Sequence, residues 1–586
     1  MGWPYRFSFD LSDNEKSHMR GTLDWYGFVA QTSVLLSLLA VQLFHIINAL
    51  SDRRRRDAFS TVPSSPRLKH GQSGLGGSPR TLQQRLRMFM WWASEDLDLM
   101  GVHLGSKGGV SAATAWGAWL LLLCFLETGD NYLHLTKRFG IVAASQLPFH
   151  YLLSLKSPYS PIQIIAQCSH ETLNASHQLF GRLITYLLYS HAVLYLNLYV
   201  MNGLLLAKLQ QAYVLCGIAG IVAFTVVGTT ALAPVRRWSY RVFYVVHVAL
   251  ATALLPILFF HVSHIRVYIY EPAVIYCANV GLRYFSTTTR PALLRLIPDT
   301  GLLEIYVPLT TTTTASGVSQ ASAVWQPSQH AYVSLPGHAV SRTFRSNPFT
   351  VASVPSVDKQ LRFVARILDG NTVKLAASLG GDEKPRNVAI EGPYGVTTHA
   401  NHLLGYDRVL LVAGGVGGTF IVPLYRQLLS DLSPGKSRRE NRISFVWAVR
   451  TKSEMQWALP ESRAERDGFA DRLKVFLTRD RLLAGSVTGE RHDEAEDAIE
   501  MQEQKQLLPD VQSSSTDHAA DERISYESGR PDIERFVEKC MVHGSNERIA
   551  VVVCGPKSLS RSLRAAIKPH IWRGRDMWFW DESFGC

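Results

Sequence analysis

Two stretches decide the fold: His177-Gln-Leu-Phe-Gly-Arg-Leu-Ile-Thr-Tyr-Leu-Leu-Tyr-Ser-His191 and His247-Val-Ala-Leu-Ala-Thr-Ala-Leu-Leu-Pro-Ile-Leu-Phe-Phe-His261. Each begins and ends on histidine, fourteen residues apart. On a helix that interval advances about 21 Å and returns to within about 40° of the same face. Ionisable groups inside a membrane span are rare and mark function. A lone membrane histidine is ordinarily a packing or hydrogen-bonding residue, and His45 and His150 are read that way. One spacing repeated on two helices reads differently. Facing helices would hold two haems, one above the other, with His177 paired to His247 and His191 to His261. Two protein ligands leave no open position for oxygen, which suits electron transfer. His264 falls about 100° off the face of His247, and His170 precedes its span and reads as interfacial.

Working outward, the chain has 586 residues, 47% hydrophobic and only 18% charged, against roughly a quarter charged in average soluble proteins. Uncharged runs of spanning length occur at Trp25–Leu50, Gly108–Leu126, Phe139–Leu155, Leu183–Ala207, Leu209–Val235 and Val242–Ile265, with a weaker seventh at Val267–Leu282 that contains Glu271. The net charge of +12 does not signal nucleic acid, because many basic residues flank apolar runs as the positive-inside rule expects. Arg53, Arg54, Arg55, Arg56, Arg67 and Lys69 put the segment after the first span in the cytosol. Arg236, Arg237 and Arg241, then Arg283, Arg290 and Arg295, fall on the same side, whereas Lys137 and Arg138 fall outside. Seven spans deliver everything after about residue 286 to the cytosol. The glycosylation sequon at Asn174 then lies inside and is expected to be unused. The N-terminus lacks signal-peptide features, so the first run reads as a retained anchor. Seven cysteines without a close pair support neither a disulfide framework nor a thiolate metal site. Ser60–Arg80, rich in Ser, Pro and Gly, reads as a flexible loop.

After Pro298 the pattern changes to short alternating strands such as Leu302–Val307, then Ala331–Leu335 and Leu361–Ile367, which predicts a small β-barrel. It contains Arg345-Ser-Asn-Pro-Phe-Thr-Val-Ala-Ser353 and the turn Glu391-Gly-Pro-Tyr-Gly395. Next comes a strand, Arg408–Ala413, then Gly414-Gly-Val-Gly-Gly-Thr419, then a helix over Phe420–Leu429. Strand, glycine loop and helix form a phosphate-binding arrangement, because glycine admits close backbone approach and helix N-terminal amides favour an anion. Later strands at Ile443–Val449, ending on Arg450, and Ile549–Val553, leading to Cys554-Gly-Pro556, imply a parallel sheet with its ligand crevice at the C-terminal strand ends. Residues 484–531 hold 12 acidic and 4 basic residues and read as a disordered insertion.

In this order the motifs resemble the ferric-chelate reductase and NADPH oxidase superfamily, most closely its fungal metalloreductases, over roughly residues 100–586. The resemblance implies a helical transmembrane haem domain, a cytosolic β-barrel FAD domain and an α/β nucleotide-binding domain like that of ferredoxin–NADP reductase. It divides the chain into 1–100 (first span and basic loop), 101–286 (haem domain), 287–402 (FAD domain) and 403–586 (NADPH domain). The segment around His177 and Arg182 is similar to the family's His-x-x-x-Gly-Arg. Pro348, Phe349 and Thr350 would contact the flavin, with Gly392, Pro393 and Tyr394 in the neighbouring turn. Many members carry His where this chain has Asn347. Gly414, Gly415, Gly417, Gly418 and Thr419 would cradle the nucleotide phosphates, Arg450 would prefer the 2′-phosphate of NADPH, and Cys554, Gly555 and Pro556 would border the nicotinamide. The end, Asp581-Glu-Ser-Phe-Gly-Cys586, resembles the family's Glu-Ser-Phe-Gly-Trp, which leaves Phe584 as the aromatic candidate to cover the flavin.

The implied cofactors are FAD, two haem b and NADPH. The implied activity is plasma-membrane reduction of ferric or cupric chelates, siderophores among them, with room for a metal permease or ferroxidase as partner. Two other readings stand beside it. One is a superoxide-generating oxidase of the same architecture, in which the second histidine spacing is typically one residue shorter. The other is an inactive membrane scaffold or sensor.

Overall fold

The computed structural model describes residues 5–7, 11–60, 82–99, 102–157, 159–309, 325–338, 342, 344–368, 371–379, 385–395, 397–431, 442–460, 463–479, 524–541 and 547–582. The expected loop after Ser60, most of the expected insertion, and Phe584 lie outside the described residues. The chain divides into two units. One is Met1–Arg290 with His330–Pro348 and Asn387–Thr398; the other is Pro291–Gln329, Phe349–Arg386 and His399–Cys586.

The first unit is mostly helical. In chain order it contains α1 (Asp13–Ser60), α2 (Leu82–Ser94), a hairpin of β1 (Asp96–Leu99) and β2 (Val102–Ser106), α3 (Lys107–Phe125), α4 (Tyr132–Ser145), α5 (Leu147–Leu153), α6 (Pro161–Ala166) and α7 (His170–Met201). It continues with α8 (Leu205–Leu209), α9 (Ala212–Thr230), α10 (Ala233–Trp238), α11 (Tyr240–His261) and α12 (Val267–Ser286). Five helices among the described residues are long and apolar enough to cross a membrane: Asp13–Ile47 of α1, α3, Thr172–Met201 of α7, α9 and α11.

Two of the seven expected spans differ from this. Phe139–Leu155 is two helices, α4 and α5, joined at Gln146. Pro148 opens α5, because proline lacks an N–H and starts a helix more readily than it continues one. Val267–Leu282 is the core of α12, whose Glu271 and Arg283 lower its apolar character. Charge also cut one boundary short. The fourth span was expected from Leu183, but α7 starts at His170, where the Ser169 hydroxyl accepts the Thr172 N–H at 3.4 Å. His170 is the first residue of the helix and precedes the span Thr172–Met201, as expected. Arg138 belongs to no loop. It is fully buried in α4, donates to the Leu123 carbonyl at 3.2 Å, pairs with His134 Nε2 at 3.1 Å, and lies 3.9 Å over the Tyr26 ring. A charge satisfied inside a helix bundle says nothing about loop orientation.

Around residues 287–394 run β3 (Thr287–Ile297), β4 (Leu302–Pro308), β5 (His330–Ser334), β6 (Asn347–Thr350), β7 (Gln360–Arg366) and β8 (Arg386–Tyr394). β4 pairs antiparallel with β3 and β7, and β5 with β8, as a barrel-like FAD domain requires. β4 reads as alternating but is buried on both faces, Glu304 included.

The C-terminal sheet comprises β9 (Arg408–Gly414), β10 (Ile443–Val449), β11 (Leu473–Leu477), β12 (Ser525–Ser528), β13 (Ile549–Cys554) and β14 (Met577–Asp581). All its pairings are parallel, in the order β12-β11-β10-β9-β13-β14. β12 falls inside the segment expected to be a disordered insertion up to 531. Composition averaged over that long acidic stretch hides a four-residue edge strand, introduced by buried Ile524. Within the second unit a bidentate pair, Arg426 to Asp358 at 2.8 Å and 2.8 Å, joins the helix Gly418–Asp431 to the turn before β7.

Candidate functional site

α7 and α11 carry the two histidine pairs, and neighbouring helices fix the rings. His191 Nδ1 lies 2.8 Å from the Thr136 carbonyl of α4, and His261 Nδ1 lies 2.7 Å from the Tyr213 carbonyl in the first turn of α9. A carbonyl only accepts, so Nδ1 carries the proton and Nε2 keeps the lone pair that a metal takes. One turn after each carbonyl stands a glycine. A Cβ on Gly140 would sit 2.6 Å from His191 Cε1, and one on Gly217 would sit 2.7 Å from His261 Cε1. Mid-helix glycine costs about 1 kcal/mol relative to alanine; here it makes room for the imidazole.

The other pair is held differently. His177 Nδ1 is 3.3 Å from the His150 carbonyl, and His247 Nδ1 is buried without a hydrogen-bond partner among the described residues. The two rings have centroids 6.2 Å apart at 63°. With imidazole–metal bonds of about 2 Å, two rings on one metal bring their centroids roughly 6 Å apart, so this spacing fits a metal between them. His150, assigned from sequence to packing, lies parallel to His177 at 4.1 Å and 6°. His264 sits on the short turn Ser263–Ile265 that follows α11, exposed and apart from the four. Nothing in the pattern of apolar residues marked Gly140, Gly217 or His150. The signal that could have found them is a glycine one turn beyond the carbonyl that receives the histidine, which needs the helix pairing.

The flavin motifs occupy β6 and the end of β8. Thr350 is buried, while Asn347 and Phe349 are half-buried. Gly392 at φ 155° and Gly395 at φ 103° take backbone that favours glycine, and the Gly392–Pro393 peptide is cis. Tyr394, in the same turn, is buried. Its hydroxyl donates to Glu391 Oε1 at 2.7 Å, and Arg283 of α12 donates to both Glu391 oxygens, at 2.7 Å and 3.1 Å. His330 stacks on the Tyr394 ring at 5.7 Å and 24°. Burial first, then the Glu391 carboxylate, pushes the Tyr394 phenol up, which keeps it a donor. From sequence, Arg283 counted only as a loop charge and Glu391 only as a turn residue.

The nucleotide motifs meet at one edge of the parallel sheet. Ala413 of β9 is level with Cys554 of β13, and Gly414 with Ala448 of β10, so the glycine loop, Cys554-Gly-Pro556 and Arg450 all leave C-terminal strand ends. The glycines also serve packing. A Cβ on Gly414 would meet Pro556 Cδ at 2.7 Å, one on Gly417 the Cys554 carbonyl, and one on Gly418 the Trp447 ring, whose Nε1 donates to the Gly415 carbonyl at 3.0 Å. Gly415 takes φ 54°. Thr419 is buried and its hydroxyl donates to the Val416 carbonyl at 2.9 Å. The Arg450 N–H donates to Glu454 Oε2 at 3.0 Å. Burial, then the Glu582 and Asp581 carboxylates, pushes the Cys554 thiol well above its ordinary range, so it stays neutral in the core.

Residues 139–258 match the family model for a ferric reductase-like transmembrane component, 312–398 that for an FAD-binding domain, and 406–568 that for a ferric reductase NAD-binding domain. Among curated relatives, the probable metalloreductase AIM14 of Meyerozyma guilliermondii is 23% identical over 77% of this chain and 86% of its own length. Ferric reductase transmembrane component 1 of Schizosaccharomyces pombe is 22% identical over 74% and 76%, respectively. The probable cell surface ferric reductase kap2 of Aspergillus oryzae is 26% identical over 56% of this chain, which covers 45% of that relative.

Proposed function

We propose that this chain, which belongs to the ferric reductase superfamily, is a multi-pass membrane metalloreductase that moves electrons from cytosolic NADPH to a ferric or cupric chelate on the other side. The observation that carries this reading is the set of four histidines at two levels of α7 and α11, three of them with Nδ1 turned to a backbone carbonyl. The donor set fits two b-type haems, His177 with His247 and His191 with His261. When bound, FAD would take the electron pair of a hydride from the nicotinamide, and the haems would pass electrons singly across the membrane.

The chain's own groups bind and orient. Thr136 and Tyr213 hold their histidines in the metal-binding tautomer. Arg283 and Glu391 hold the turn of Gly392, Pro393 and Tyr394, and Pro348, Phe349 and Thr350 would contact the flavin. The amides at the start of the helix Gly418–Asp431, after Gly414–Gly417, favour the nucleotide phosphates. Arg450 supplies a cation for the 2′-phosphate. Domain boundaries near residues 100, 286 and 402, the cytosolic side of the FAD and NADPH domains, residence in the plasma membrane, and a permease or ferroxidase partner belong to the same proposal.

Membranes containing the protein, given NADPH and ferric citrate, are expected to form ferrous iron at a rate that superoxide dismutase leaves unchanged. Loss of the signal on adding the dismutase would contradict a metalloreductase and make the chain an oxidase. Purified protein without haem or flavin would make it a scaffold.

A further inference from the structure

The His177/His247 level contains a third imidazole that the proposed haem pairing does not use. His150, on α5, touches His177 twice. Its carbonyl faces His177 Nδ1 at 3.3 Å, and its ring lies against the His177 ring at 4.1 Å and 6°. The hydrogen bond is longer than the usual 2.9–3.0 Å, so alone it holds the ring weakly. The stack supplies what the bond lacks, since a flat neighbour restricts rotation of the ring plane. His150 is itself confined. Phe180 lies nearly parallel to it at 6.4 Å and 19°, and Phe149 meets Phe180 edge-on at 5.1 Å. Its Nδ1 is buried without a hydrogen-bond partner among the described residues, so burial of that polar atom is uncompensated by a bond there. Gly181 admits the ring. A Cβ there would come within 3.0 Å of His150 Cε1, and Gly181 stands one turn after His177.

We infer that His150 is a positioning residue for the haem ligand His177, fixing the plane and hydrogen-bonding of that imidazole where no short carbonyl contact does so. The inference rests on the proposed haem-holding role of His177. The orientation and basicity of a metal-binding imidazole are set by what surrounds it, and the imidazole that would hold a haem is a main lever on its potential. His150 thus tunes one haem and leaves the other alone.

The test uses purified, haem-loaded protein with His150→Ala, His150→Phe and Gly181→Val. The readouts are haem content, potentiometric titration of both haems, and the low-spin ferric resonance spectrum. His150→Ala is expected to keep both haems, shift one midpoint and one set of low-spin signals, and leave the other set unmoved. Gly181→Val, which pushes the ring aside, is expected to move the same set. His150→Phe retains a flat neighbour and the backbone carbonyl, and is expected to return that set toward wild type. Unchanged spectra and midpoints in both His150→Ala and Gly181→Val would overturn the inference, as would equal shifts in both haems. Retention of both haems in His177→Ala would overturn it too, because His150 would then be a ligand. Failure of the underlying reading is visible separately, as fewer than two haems in the wild-type protein.

Discussion

The same two helices hold their histidines by different rules at their two ends. At the His191/His261 level the scheme is nearly symmetric: a short bond to a backbone carbonyl of a third helix, and a glycine one turn on. At the His177/His247 level one ring has a longer bond plus a stacked imidazole, and the other has a buried nitrogen without a hydrogen-bond partner among the described residues. Equal spacing in sequence has thus produced unequal sites. Backbone positioning depends on helix packing and glycine; side-chain positioning depends on particular residues. The first should be rigid and sensitive to volume, the second adjustable.

The largest expected effect comes from a change that should spare this difference. Glu391→Ala leaves the Arg283 guanidinium buried and unpaired, which costs about 3–5 kcal/mol. Thermal unfolding should fall steeply and flavin should be lost, while whatever folded protein remains keeps both haems in equal amount. Loss of one haem in preference to the other would show that this ion pair serves one level.

Next in size are the glycines. Gly140→Leu and Gly217→Leu drive a side chain into His191 and His261, and disturbing the support of a metal ligand typically costs 10–100-fold. Chelate reduction should fall by about that factor, with only the His191/His261 haem perturbed. An equal disturbance of both haems would erase the distinction between the levels. Arg450→Ala lies outside the membrane and should leave both haem spectra alone. Losing one charged contact of about 1.5–3 kcal/mol should lower kcat/KM for NADPH on the order of 10- to 100-fold, with the NADH value unchanged. An equal loss for both nucleotides would remove Arg450 as the 2′-phosphate contact.

The smallest effect concerns Cys554. Its raised thiol pKa means that the folded state holds the proton more tightly than the unfolded chain, whose thiol ionises near 8.5. Cys554 should therefore resist alkylation at pH 8.5 in the native protein, and its contribution to stability should decline as pH rises beyond that value. Rapid modification of Cys554 itself in the folded protein at that pH would contradict its burial.

The histidine spacing and the glycine loop were legible in sequence for a physical reason. Paired histidines in apolar helices and a glycine loop after a strand are local patterns, and local patterns survive in one dimension. What remained hidden depends on which helix lies against which. Arg138 read as a loop charge because its partners, Leu123 and Tyr26, are distant in sequence. His150 read as packing because its contact with His177 crosses from α5 to α7. Glu391 and Arg283 meet across 108 positions. Helix ends were misplaced wherever charge was used to bound them, as at His170, because a capped helix runs on past its apolar core. The strand Ser525–Ser528 was masked by its acidic surroundings.

The most direct test counts haems. Purified wild-type protein and the variants His191→Ala and His177→Ala are compared by pyridine haemochrome absorbance per polypeptide. Two haems in the wild type and one in each variant are expected, with the surviving haem spectrally distinct between the two variants because the two levels are built differently. Two haems in either variant, or one in the wild type, would contradict the assignment of the four histidines to two separate levels.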